Sequence, residues 1–262
     1  MVKRIVLLDK MYNITSRTPE RTKNEIINRY KKYLNEQIKG FPNTTTKIKK
    51  LREFDKRFEL IIYGPEEVFI YNLLKKEIGS ILEFQDIKEG RVYKGFLVDV
   101  GKVHFGLYVD CAIFNPKGDV LINLYTLREQ LCNGKKIPLL EIINRYNFIE
   151  HFPVYVKITK IDLTDNKIQG EIDEKTLKIF RKVVNENIEG IFFSGATKNQ
   201  VKKAIIRKGH LRDIISVERY GFLDNIVLFK ENTDAPGIIA HIGKNLRNCK
   251  LSAIRPNRIR YK

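Results

Sequence analysis

Three groups of residues in this chain are of types that could do chemistry. The first is an aromatic pair, Phe105 and Tyr108, in the run Phe105-Gly106-Leu107-Tyr108-Val109-Asp110. Aromatic rings on a strand surface can stack on nucleic-acid bases, whatever the base, because every base has a flat π-face. The second is a basic series: Lys198, Lys202, Lys203, Arg207, Lys208 and Arg212, joined by Arg258 and Arg260 in the C-terminal stretch. Such charges neutralise phosphates. The third is an acidic set, Asp213, Glu218, Asp224 and Asp234. Carboxylates brought together could hold a metal for phosphodiester cleavage. The same acids sit where turns and helix caps favour them: Asp224-Asn225 reads as a turn and Asp234 as a cap.

Other chemistries find no support in the residues. There is no G-x-x-x-x-G-K-[ST] loop and no G-x-G-x-x-G after a strand. Ser194-Gly195 lacks the flanking residues of a nucleophile elbow. His104, His151, His210 and His241 form no H-x-x-x-H pair, and Cys111, Cys132 and Cys249 form no C-x-x-C pair. A zinc site or a disulfide framework is therefore not expected, a reducing compartment is, and no cofactor is implied. Met1-Val2-Lys3-Arg4 precedes only the short apolar run Ile5 to Leu8, so neither a signal peptide nor a membrane partner is expected.

The chain has 262 residues, with 49 Lys and Arg against 31 Asp and Glu, a net charge of +18. A field of that sign attracts polyanions, although the same lysines would also serve as a solubilising surface. The charge is uneven. Residues 1–84 carry a net +7, residues 87–172 only +2, and residues 190–262 carry +10. If RNA binds, the flanks should supply the phosphate attraction and the middle the stacking.

Those residues need elements to hold them. Over residues 1–84 the pattern reads β-α-β-β-α-β. Ile5 to Leu8 is a strand. A helix starts at Thr18 (cap) and Pro19, with Ile26, Ile27, Tyr30, Leu34 and Ile38 as its stripe. Two strands, Thr44 to Glu53 and Arg57 to Tyr63, lead to a helix after Gly64-Pro65, and Ile81 to Phe84 reads as a closing strand. Residues 190–262 repeat that order, with Thr197 capping the helix that carries the lysines. Lys198 and Lys202 are four apart, as are Lys203 and Arg207, so a broad positive face forms. Asp173 to Asn187 reads as an amphipathic helix linking the middle segment to the last.

In the middle segment, Val92 to Val100 and Val103 to Asp110 read as strands around the turn Gly101-Lys102. The glycines in so short a span suit a small curved barrel. Positions 105 and 108 have opposite parity along a strand, so at least one of the two rings should face out. Gly95, the Phe105 to Asp110 run, Gly118-Asp119-Val120-Leu121-Ile122-Asn123-Leu124, Val154 to Asp162 and Lys167 to Glu171 together resemble the RNA-binding OB fold named after ribosomal protein S-one. By that resemblance Phe105 and Tyr108 take the base-stacking positions, and Asn123 stands where the family has a histidine. A second block, Arg212 to Ile214 through Thr233 to Gly237 with Arg255-Pro256, resembles the C-terminal part of an uncharacterised archaeal protein family. That resemblance implies a cytoplasmic role in information processing.

The expected architecture is α+β: a ferredoxin-like βαββαβ domain (1–84), an OB-fold β-barrel (85–172), a linking helix (173–189) and a second, basic ferredoxin-like βαββαβ domain (190–262). The expected function is binding of single-stranded or structured RNA as a non-catalytic cytoplasmic factor in translation, transcription or RNA processing. The ribosome or RNA polymerase are candidate partners. The competing readings are a metal-dependent nuclease or RNA-modifying subunit and a protein-docking module.

Overall fold

A computed structural model describes residues 2–11, 18–246 and 249–259. The chain divides into two compact units, Met1–Ile81 and Leu82–Lys262.

The first unit contains β1 (Val2–Lys10), α1 (Glu20–Gln37), β2 (Thr45–Leu51), β3 (Arg57–Tyr63) and α2 (Glu67–Glu77). Its sheet has the order β1-β3-β2, antiparallel throughout. α1 buries Ile26, Tyr30, Tyr33 and Leu34. They share one helix face because side chains three and four residues apart lie over one another. Pro19, with φ −56, takes the cap position expected of Thr18, and the helix begins at Glu20. A proline fits there because its missing N–H has no helical partner to lose.

The expected closing strand, Ile81 to Phe84, is not part of this sheet. A bridge between Leu7 and Ser80, the Leu8 N–H to Gly79 carbonyl bond (3.0 Å) and the Ile81 N–H to Val6 carbonyl bond (3.1 Å) join the chain around Ser80 to β1. Leu82–Glu83 (β4) instead pairs in parallel with Ile113 and Phe114. Phe84 and Ile87 are buried in the barrel core, and burying those two side chains carries the chain over to the second unit.

The second unit opens with a closed five-stranded, OB-like barrel. Its strands are β5 (Val92–Val98), β6 (Gly106–Phe114), β7 (Gly118–Asn123), β8 (Pro153–Asp162) and β9 (Lys167–Ile172). They close in the order β5-β6-β7-β9-β8-β5, with β7 and β9 parallel and the other pairs antiparallel. Two glycines permit this curvature. A Cβ at Gly95 would lie 2.5 Å from Val109 Cγ1, and one at Gly170 would lie 2.6 Å from Val156 Cγ2. Between β7 and β8, α3 (Leu124–Cys132) and α4 (Leu139–Tyr146) add Leu127, Leu131, Ile142 and Tyr146 to the barrel core.

Then come α5 (Glu174–Asn185), β10 (Gly190–Ser194), α6 (Lys198–Arg207), β11 (Ile214–Arg219), β12 (Asp224–Phe229), α7 (Ala235–Ile242), β13 (Lys250–Ile254) and α8 (Pro256–Ile259). The last sheet is antiparallel, in the order β11-β12-β10-β13. Both its faces are covered. Ile191, Phe193, Val227 and Phe229 share a core with Val201, Ala204 and Ile205 of α6 and Ile238 and Ile242 of α7. On the other face, Phe192, Ile226, Leu228 and Ile254 join the barrel core through Leu177, Phe180 and Val183 of α5. Phe152 of the barrel and Phe192 of the sheet have ring centroids 4.9 Å apart. The barrel, α5 and the sheet thus share one apolar interior.

Candidate nucleic-acid interface

The barrel surface is set by the alternation of β6. Leu107 and Val109 are buried in the core, so Gly106 and Tyr108 point outward. Phe105 lies just before the strand begins, which frees it from that alternation, and 53% of it is exposed. Its carbonyl accepts a bond from the Leu124 N–H (2.8 Å), which fixes its backbone. The rings of Phe105 and Tyr108 meet edge to face, with centroids 6.1 Å apart. Across the ladder Tyr108 faces Leu121, and Leu121 in turn faces Gln169. Gly106 faces Asn123, and a Cβ at Gly106 would lie 2.4 Å from the Ile122 carbonyl oxygen. Both sequence-predicted rings are therefore available on one face.

Asn123 belongs to the same face but has a structural task. Its Oδ1 accepts from the Thr126 N–H (2.9 Å) and hydroxyl (3.1 Å) as the N-cap of α3. Only its amide N–H groups are left to meet a ligand. Tyr125 was not anticipated. It is 73% exposed and follows Leu124, the residue bonded to Phe105. Its signal in the sequence is its place off the Leu124, Leu127, Leu131 stripe. Lys167 was not anticipated either. The hydrogen bond to Asp165 (2.6 Å) raises its pKa first, with a smaller contribution from the nearby Tyr108.

The cationic surface lies on α6. Thr197 and Gln200 form a reciprocal capping box, with Thr197 N–H donating to Gln200 Oε1 (3.0 Å) and Gln200 N–H to Thr197 Oγ1 (3.3 Å). Val201, Ala204 and Ile205 face the sheet, which turns Lys202, Lys203 and Arg207 outward. Lys198 is half-buried in the first turn. Lys208 and Arg212 are exposed beyond the last turn, on either side of Gly209 at φ +85. Among the described residues none of these six cations is held in an ion pair. Arg258 is exposed on α8, while Arg260 lies outside the described residues.

The acids do not gather. Asp234 caps α7, accepting from the Gly237 N–H (2.8 Å), and its Oδ1 lies 3.6 Å from Arg255. Asp224 is buried at the start of β12, where its carbonyl accepts from the Tyr220 N–H (2.8 Å). Glu218 accepts from the Ser216 hydroxyl at 3.4 Å. Asp213 bonds His210 Nδ1 (2.9 Å), and His210 Nε2 lies 3.1 Å from His241 Nδ1. That histidine pair was invisible in the sequence because 31 residues separate its members. Among the described residues, no group of three or more His, Cys, Asp or Glu side chains is placed to hold a metal ion. No helix among them is long and apolar enough to cross a membrane.

Two tyrosines on neighbouring elements carry a pH signature. Burial pushes the Tyr220 hydroxyl well above its ordinary value of 10.0, with Glu218 and Tyr155 adding to the effect. Burial and then Asp173 push Tyr155 in the same direction. A raised acid holds its proton in the fold where the unfolded chain would release it. Stability from these groups is therefore fully present below about pH 10 and falls as the pH rises beyond it. Urea unfolding at a series of pH values should show that decline, and Tyr220→Phe should flatten it.

Two family models match the chain: the DUF2110 central domain over residues 87–183 and the DUF2110 C-terminal domain over residues 189–254. No curated protein matches it. Among solved structures, an uncharacterised protein from Methanocaldococcus jannaschii is 15% identical, with 34% of this chain and 96% of that one covered and a TM-score of 0.24. A chain of the a/eIF2alpha–aDim2p–rRNA complex from Pyrococcus horikoshii is 13% identical, covering 47% and 64%, with a TM-score of 0.26. The intact alpha subunit of aIF2 from Pyrococcus abyssi is 9% identical, covering 64% and 97%, with a TM-score of 0.25.

Proposed function

We propose that this chain is a cytoplasmic RNA-binding protein that acts without catalysis, as a factor in translation, transcription or RNA processing. The observation that carries this reading is the separation of labour on the second unit. An exposed Phe105 just before a barrel strand meets a half-buried Tyr108 on it, and six cations without acidic partners lie on and just beyond α6. Rings stack on bases and the free cations attract phosphates, which is how single strands are held. The strand order of the barrel supports reading it as an OB fold of the S-one type. The β-α-β-β-α-β order of the last segment supports reading it as ferredoxin-like, and the first unit, where the chain around Ser80 is bonded to β1, follows the same scheme. The ribosome, with its rRNA, or RNA polymerase, with its nascent transcript, is the assembly on which such a factor would act.

Titration of a short single-stranded RNA at several salt concentrations tests the reading. Four to six phosphate contacts predict a log–log slope of about −3 to −4, because each contact releases roughly 0.7 of a counterion from a single strand. No binding at low salt, or a flat dependence, would remove nucleic acid from the account.

A further inference from the structure

A cavity of about 380 Å³ lies within the second unit, where β8, α5 and the β11 edge of the last sheet meet. Its walls combine two chemistries. Three lysines of α5, Lys175, Lys178 and Lys182, line one side at helical spacings of three and four. Arg219 adds a fourth cation from β11. Between them stand Tyr155 and Tyr220, with ring centroids 6.1 Å apart and planes tilted by 57°. The Lys175 ammonium lies 4.8 Å from the Tyr155 ring centroid. The cavity has a single acid, Glu218.

Hydrogen bonds of the backbone position the walls. The Tyr155 N–H donates to Thr176 Oγ1 and its carbonyl accepts from the Asp173 N–H, both at 2.8 Å, so the first turn of α5 is pinned to β8. Tyr220 is buried, and the Asp224 carbonyl accepts its N–H at 2.8 Å.

We infer that this cavity binds a nucleoside monophosphate unit, either as a free nucleotide or as one nucleotide of an RNA chain. The volume falls within the range of small-ligand sites, roughly 300–1,000 Å³. Lys182 pairs with Glu186 at 4.0 Å, and Lys175 and Lys178 beside it give this wall a net positive charge that favours an anion. A phosphate would meet the lysines of α5, away from Glu218. The tyrosines offer an apolar wall to a flat ring. Glu218 offers an acceptor to an exocyclic amine, the contact a carboxylate makes with cytosine N4. The site is distinct from the Phe105 and Tyr108 face and from α6, so it stands or falls separately from the RNA-binding reading above.

Calorimetric titration of the full chain with cytidine monophosphate and with inorganic phosphate tests it. The nucleotide should bind saturably, and phosphate at least about tenfold more weakly, since it leaves the rings unused. Lys178→Ala with Lys182→Ala, at one exposed and one half-buried position on the solvent side of α5, should weaken nucleotide binding by at least about tenfold with little change in melting temperature. Lys202→Glu with Arg207→Glu should leave it unaltered. Competition then identifies the source. A short oligoribonucleotide that displaces the nucleotide from the Lys202→Glu, Arg207→Glu protein marks RNA as the ligand, and one that does not marks the free nucleotide. Absence of saturable nucleotide binding, equal affinity for inorganic phosphate, or full affinity in the α5 lysine variant would each overturn the assignment.

Discussion

Replacing Lys202, Lys203, Arg207 and Lys208 together by glutamate is expected to weaken single-stranded RNA binding by at least roughly a hundredfold. The salt slope should fall by about 3, because four phosphate contacts are lost at roughly 0.7 counterions each. The four side chains are exposed and lie off the Val201, Ala204, Ile205 face that holds α6 on the sheet. Glutamate and lysine have similar helix propensities, so the helix itself should survive. Glutamates at 207 and 208 oppose the helix dipole, which costs roughly 0.3–1 kcal/mol each at exposed positions. A melt close to that of the wild type, together with lost affinity and a shallower slope, is the expected result. Unchanged affinity would show that α6 is only a solvated surface.

Phe105→Ala is expected to act in a different way. Losing one base–aromatic stack costs about 1–3 kcal/mol, or roughly 5- to 150-fold in affinity, with the salt slope unchanged. Phe105 is 53% exposed and precedes β6, so its truncation opens no core cavity. Tyr108→Ala should behave similarly. Its ring is half-buried against Phe105, so its melt is the control that separates lost packing from lost stacking. If both variants melt and bind like wild type, the barrel is a spacer or a protein-docking module. The α6 and Phe105 variants therefore differ in kind as well as in size.

Much of the fold was legible because it rests on short-range rules. The stripe of Ile26, Tyr30 and Leu34 predicts a helix whichever partner it meets. Thr197 with Gln200 three residues later, and Asp234 ahead of Pro236, are capping patterns that need no tertiary context, and both form. The outward direction of at least one of Phe105 and Tyr108 followed from strand parity alone. In the structure Phe105 stands outside the strand, so both rings are available.

What local pattern could not supply is partner choice. The stretch after Ser80 is apolar and extended, and nothing within it distinguishes the first sheet from the barrel. The burial of Phe84 and Ile87 in the barrel core decides. Asn123 reads as a binding residue by its place in the strand order. Its role as the cap of α3 emerges only when Thr126 folds back within 2.9 Å of it.

The order of elements, the uneven charge and the identity of the rings and cations can be read along the chain, because none of them depends on which distant residues meet. That the barrel, α5 and the last sheet share one core emerges from packing alone, since it depends on Phe152, Phe180 and Phe192 meeting across 40 residues of chain. The same packing brought His210 to His241 and set Tyr155 beside Tyr220 among the lysines of α5. Residues distant in the chain meet where apolar burial is most complete, and that is a property of the whole chain packed together rather than of any segment of it.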